Sequence, residues 1–184
     1  MGHRLTKIYT RTGDEGETGL GDGSRVAKDS LRIRAMGDID ELNCALGMLL
    51  AEEIPKPMRE ILTDVQHDLF NLGGEICIPG SMTTATAEAT RLETSLDEYN
   101  ARMPPLKEFV LPGGTRAASL AHLARAICRR AERSLVALAR AERVAPQSLK
   151  FLNRLSDLLF VLARSLNREA GGDVLWQPRR SRTD

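Results

Sequence analysis

The sequence predicts an all-α fold, a bundle of four or five helices behind a glycine-rich N-terminal loop. Three observations carry this expectation. Apolar residues recur at alternating steps of three and four over most of the chain, aromatic residues make up only 4% of it, and no alternating β-branched run marks a strand. At 184 residues the chain has room for a single domain with a substantial core. That domain is expected over 1–184, with the loop at 1–30, the bundle at 31–172 and a tail at 173–184.

The first helix follows Asp29, with Ile39, Leu42, Leu46 and Leu49 along one face. Pro57 marks the start of the second, whose stripe contains Val65, Leu69 and Leu72. The stretch "SMTTATAEATRLETSLDEYNARM" is polar, with Leu92, Leu96 and Tyr99 on one face; it reads as a solvated third helix or partly as loop. Pro104, Pro105, Pro112 and Gly113-Gly114 then punctuate a loop around "EFVLPGGT". Thr115 is placed to cap a long helix running to about Glu142, rich in Ala, Leu, Arg and Glu and free of Gly and Pro. After Pro146, the series Leu152, Leu155, Leu159, Leu162 and Leu166 defines a fifth helix that Gly171-Gly172 ends. The basic, polar "PRRSRTD" tail is expected to be disordered.

Charge and cysteine content narrow the function classes. Twenty-six basic residues against 25 acidic leave a net charge of +1, so the overall balance calls for neither nucleic acid nor an anionic membrane. Any anion site must be local. Cys44, Cys77 and Cys128 are far apart and odd in number, which argues against a disulfide framework or zinc cluster and for a reducing cytoplasm. No run reaches the roughly 20 apolar residues of a membrane span, and no secretory signal is visible. "MGHRLT" fits a myristoylation pattern formally but has no polybasic partner.

Two segments carry chemistry. "YTRTGDEGETGLGDGSRVAKD" holds Gly13, Gly16, Gly19, Gly21 and Gly23 with little apolar content, a composition that lets backbone N–H groups approach a phosphate. It matches neither the Walker A pattern nor the dinucleotide fingerprint, and a flexible polar arm accounts for it equally well. In "LARAICRRAERSLVALAR", Arg125, Arg129 and Arg133 stand four apart. Steps of four put them in one stripe, offset by about 40° each. Guanidinium forks on one face suit phosphate; a solvated face is the plainer explanation, yet Arg130 and Arg140 are also available for solvent and the helix must still bury Leu120, Ile127 and Leu138. Glu132 is spaced to orient an arginine.

Other clusters say less alone. Asn153 and Asp157 form a pair of the kind that bridges helices. Asp38, Asp40 and Glu41 open the first helix, where carboxylates complement its dipole; Asp40 is also free to pair with an arginine of the stripe, within the chain or across a subunit boundary. His3, His67 and His122 form no ligand set. Asp64-x-x-His67 is half of a ferritin-type metal pair without its partner, so neither a di-iron centre nor another protein-bound metal is expected.

Taken in order, "YTRTGDEGETGLGDGSRVAKDSLRIRAMGDIDELN", "FVLPGGT", "ARAICRRAER" and "FLNRLSDLLFVLAR" closely resemble the PduO-type ATP:corrinoid adenosyltransferases, from about Lys7 to Trp176. The resemblance implies a ferritin-like up-down bundle that assembles as a homotrimer with active sites between subunits. It implies transfer of the 5′-deoxyadenosyl group of ATP to the Co(I) centre of cob(I)alamin, with Mg²⁺ and release of triphosphate. It assigns Thr10, Arg11, Thr12, Gly13, Thr18 and Gly19 to a loop over ATP, and Lys28 to its phosphates. Arg129, Arg130 and Arg133 in "RRAER" go with the nucleotide, beside Glu132 and Asn153. Arg125 is expected to pair with Asp40 of a neighbouring subunit, and Phe109 to press on the lower face of the corrin. "VLWQP", with Trp176, corresponds to a C-terminal segment that covers the corrin in many members. A flavoprotein reductase and a cobalamin-dependent enzyme are the partners implied.

Such chemistry needs no protein base, since Co(I) is itself the nucleophile and the protein supplies placement and charge stabilisation. A corrinoid and ATP carrier without turnover is the competing reading; it leaves Lys28, Arg129 and Arg133 with no leaving group to neutralise. A purely structural bundle leaves both the glycine loop and the arginine stripe unexplained.

Overall fold

The computed structural model describes residues 9, 11–82, 86–168 and 170–178, with 86–88 by backbone alone. Thr10, residues 83–85 of the polar third segment and the basic end of the tail lie outside the described residues. Five helices form the body: α1 (Leu31–Leu50), α2 (Lys56–Ile76), α3 (Thr86–Asn100), α4 (Arg116–Ala141) and α5 (Pro146–Arg168). α4 packs between α1 and α5; α2 flanks α1 and α3 flanks α5. Arg91 of α3 closes the ring by pairing with Asp64, at 3.1 Å, and with Asp68 of α2.

The three-four periodicity becomes the core. Ile39, Leu42, Leu46 and Leu49 meet Val65, Leu69, Leu72, Leu135, Leu138, Leu152, Leu155, Leu159 and Leu162 in one cluster. Burying each such side chain contributes roughly 1.5–3 kcal/mol, against helix-ordering entropy of similar total size. The polar third segment is indeed a helix, anchored by Leu92 and Tyr99 and half-burying Leu96. Thr115 caps α4 by accepting from the Ala118 amide at 3.1 Å, and Ser30 caps α1 through Ile33.

The glycine segment departs from the sequence reading by forming a hairpin, with β1 (Glu17–Gly19) antiparallel to β2 (Arg25–Ala27). Three residues per strand are too few to show an alternating pattern. The hairpin is docked on the end of α2, where the Gly21 amide donates to the Cys77 carbonyl at 2.9 Å and Leu20 is buried. Arg32, itself buried, ties the same corner together by donating to the Ile76 carbonyl and pairing with Glu142 beyond α4.

Candidate functional site

The loop half of the site is built on the hairpin. Gly13 to Gly16 make a turn closed by the Gly16 amide on the Gly13 carbonyl, 3.3 Å. Gly16 has φ +88°, a conformation that favours glycine. Lys28 returns over this turn: its amide donates to the Gly16 carbonyl at 2.8 Å, and its Nζ would stand 3.1 Å from a Cβ added at Gly13. Any larger residue at 13 displaces the ammonium. Arg11 has φ +63°, unusual backbone for a residue with a side chain, and its guanidinium lies 5.6 Å from the Tyr9 ring centroid. Arg25 donates to the Thr12 carbonyl at 2.7 Å and pairs with Glu17 at 3.3 Å, bracing the turn. Thr18 and Gly19 reach from β1 into a cavity of about 510 Å³ shared with Asp40, Asn43, Met36 and Phe70.

The arginine half is on a different face. Arg125 and Arg129 line a cavity of about 360 Å³ with Leu96 and Asn100 of α3 and Ser156, Asp157 and Phe160 of α5. Arg125 is half-buried, its guanidinium 6.0 Å from the Phe160 ring centroid. Its Nε is buried with no hydrogen-bond partner among the described residues. Burial, and then the Arg129 cation, lowers its pKa. A half-buried guanidinium with an unmet donor is suited to an anion. Arg129 is exposed and has no ion pair among the described residues; Arg133 folds back to donate to the Arg129 carbonyl at 3.0 Å.

Two expectations need correction. Arg130 is not left to solvent alone: part-exposed, it pairs with Asp38, at 3.2 Å, and with Glu41, both on α1. One residue beyond Arg129 is a rotation of about 100°, enough to turn it from the cavity to the α1–α4 seam. Glu132 makes no ion pair with an arginine among the described residues. It accepts from Asn153 Nδ2 at 2.9 Å, joining α4 to α5, while Asn153 Oδ1 accepts from Arg154 at 3.0 Å. Asp40 is exposed and has no ion pair among the described residues. The loop and the stripe therefore line separate cavities on a single chain.

Phe109 projects from the "EFVLPGGT" loop, 81% exposed. With Leu111 and Trp176 it lines an apolar cavity of about 280 Å³. The C-terminal segment runs beside it: Trp176 donates to the Phe109 carbonyl and Leu111 to the Val174 carbonyl, both at 2.7 Å. The loop is anchored from below by Asn167, which accepts from the Thr115 amide and donates to the Gly113 carbonyl, both at 2.9 Å. Leu96 was expected only on the apolar face of the third helix, and Phe160 was not singled out by the sequence. Phe160 had a usable signal, since Asn153, Asp157 and Phe160 are spaced at four and three on one face of α5.

Comparison with known proteins bears on the fold and the family. The sequence model of the family described as "Cobalamin adenosyltransferase" matches residues 8–166. A "Cobalamin adenosyltransferase" of Cupriavidus metallidurans is 58% identical over 182 residues, covering 98% of this chain and 99% of that protein. A "Corrinoid adenosyltransferase" of Bacillus subtilis is 48% identical over 179 residues, 93% of this chain and 92% of that one. Among solved structures, a phenylalanine-to-alanine variant of the PduO-type ATP:corrinoid adenosyltransferase from Lactobacillus reuteri, complexed with cobalamin and ATP, superposes with a TM-score of 0.89. It is 35% identical, over 94% of this chain and 100% of that one. With the family match running over residues 8–166, from the glycine loop through the arginine-stripe helix α4 and most of α5, the chain belongs to the cobalamin adenosyltransferase family.

Proposed function

We propose that this protein transfers the 5′-deoxyadenosyl group of ATP to the Co(I) centre of a corrinoid. The electron pair of Co(I) attacks C5′ and forms the cobalt–carbon bond, while the C5′–O bond breaks and its electrons leave with triphosphate. No proton moves in this step, so no protein base is required. The observation that carries the reading is the Arg125–Arg129 pair on an open cavity, one donor unmet and the other cation uncompensated. Positive charge held where a leaving group becomes anionic stabilises the transition state more than the ground state.

The loop and stripe lie on different faces, so the reading assigns the complete site to two copies of the chain. Joining the loop face of one copy to the stripe face of the next is a head-to-tail contact, which closes into a ring such as the homotrimer. Asp40 of one subunit then meets Arg125 Nε of another. Thr10, Arg11, Thr12, Gly13, Thr18, Gly19 and Lys28 hold ATP from the loop side; Arg129 and Arg133, with Glu132 and Asn153 behind them, hold it from the stripe side. Arg130 is left to bind α1. Among the described residues no group of three His, Cys, Asp or Glu side chains could hold a metal, so Mg²⁺ is assigned to the triphosphate itself, arriving with the nucleotide. Phe109, exposed on an apolar rim, is assigned to the lower corrin face, where it displaces the axial ligand and eases reduction of Co(II). A cytoplasmic setting, a flavoprotein reductase and a cobalamin-dependent acceptor enzyme complete the reading.

The test is an anaerobic assay with ATP and chemically reduced cob(I)alamin, following the alkylcobalt spectrum and triphosphate release together. Equal yields of both are expected. Tight binding of both ligands without product would identify a carrier instead.

A further inference from the structure

The seat of Phe109 depends on a buried ion pair that the adenosyl-transfer chemistry does not use. Phe109 has almost no packing of its own, being 81% exposed, so its position is set by its backbone. That backbone is held by the two 2.7 Å bonds to the C-terminal segment and the Val110–Leu175 bridge between them. Both partners of this short ladder are tethered to one side chain. Arg164 of α5 donates through Nε to Asp173 Oδ2 at 2.8 Å, immediately before Val174. Through its Nη2 it donates to the Pro104 carbonyl at 2.9 Å, at the start of the Phe109 segment. Arg164 and Asp173 side chains are 4% and 12% exposed. Three residues along the same buried face of α5, Asn167 holds the far end of the loop.

We propose that Arg164, bonded at once to Asp173 and Pro104, is the positioning residue for Phe109, fixing the C-terminal strap and the Phe109 loop in one register. The inference rests on the Phe109 role proposed above. A guanidinium is suited to the task because its rigid fork spans two acceptors, whereas an ammonium is a point donor. Removing the Asp173 charge leaves a buried cation uncompensated, and the strap is the element free to move in response. Because the arginine stripe and the ATP loop lie elsewhere, the loss falls on the Co(II) stage and spares transfer from Co(I).

Asp173→Asn and Arg164→Lys are compared with Phe109→Ala in two anaerobic assays, one started from cob(II)alamin with reductant and one from pre-reduced cob(I)alamin. In the apoprotein, emission of Trp176, the one tryptophan of the chain, reports strap docking. Both tether variants are expected to lose about tenfold in the Co(II)-started assay while staying within about twofold from Co(I) and in KM for ATP. Their Trp176 emission shifts to the red. A split seen in Phe109→Ala but absent from Asp173→Asn overturns the positioning role and leaves the Phe109 role standing. Absence of the split in Phe109→Ala itself overturns both. Asp173 lies outside the helices, so its variant remains a test even where Arg164→Lys fails to fold.

Discussion

Asp38 and Asp40 stand two residues apart on α1 and face opposite sides of it. Asp38 turns to α4, where it pairs with Arg130 at 3.2 Å and accepts from Ser134. Two residues are a rotation of about 200°, so Asp40 points away from α4, exposed beside the cavity that Thr18 and Gly19 line. The pairing of Asp40 with Arg125 that the sequence left open within the chain does not form there. It leaves a carboxylate without an ion pair on one face and a guanidinium with an unmet donor on another, which is the arrangement expected of two halves of a shared site.

Arg129 has no ion pair among the described residues and makes no bond on which its helix depends. Arg129→Ala is therefore expected to keep the helical content and thermal stability of the parent while kcat falls by about 100-fold or more, as for other lost charge-stabilising donors. Far-ultraviolet dichroism and single-turnover kinetics measure the two quantities. Activity within about twofold of the parent would remove Arg129 from the leaving-group role.

Gly114 has φ +105°, and a Cβ there would overlap the Asn167 carboxamide. Since Asn167 is the anchor of the Phe109 loop, Gly114→Ala is expected to cost about 2 kcal/mol or more, through both backbone strain and the displaced side chain. Denaturant unfolding measures the loss. An unchanged midpoint would mean that the loop can shift without loosening α5.

His122 is buried, 2% exposed, with neither ring nitrogen bonded among the described residues and its ring 6.0 Å from that of Phe160. Burial first, and then the Arg125 cation, lowers its pKa, against a smaller opposing pull from Asp173. The unfolded chain thus binds the proton more tightly than the folded one. Its contribution is fully present above the unfolded value of about 6.5 and is lost as pH falls towards the lower folded value. His122→Leu is expected to flatten the acid limb of a Tm-against-pH curve below about 6.5. An acid limb identical to the parent's would assign the loss to carboxylates instead.

What could be read beforehand follows the length scale of each interaction. The helices were legible because leucine spacing repeats over many turns, and burial of Leu42, Leu69, Leu135 and Leu159 is that spacing realised. The stripe was legible because Arg125, Arg129 and Arg133 obey the same geometry. The hairpin was not, because three-residue strands carry no periodicity and its docking rests on local contacts such as the Gly21 amide on Cys77 and the burial of Leu20. Arg130 was misjudged for a related reason: its partners, Asp38 and Glu41, are about ninety residues away in the chain, and only packing of α1 on α4 selects it over Arg129. The tether from Arg164 to Asp173 and Pro104 is equally invisible in sequence, joining three segments with no common pattern.

The central claim is that loop and stripe of one working site belong to different copies of the chain. Asp40→Ala and Arg129→Ala proteins, each weakly active alone, are co-expressed with separate tags and the doubly tagged assemblies are assayed for adenosyl transfer. In a doubly tagged ring of three, one site, about a third of the total, pairs an intact loop half from one variant with an intact stripe half from the other. Recovery of about a third of parental activity is the predicted result. Mixed assemblies no more active than the two variants alone would contradict the shared site and return both halves to a single chain.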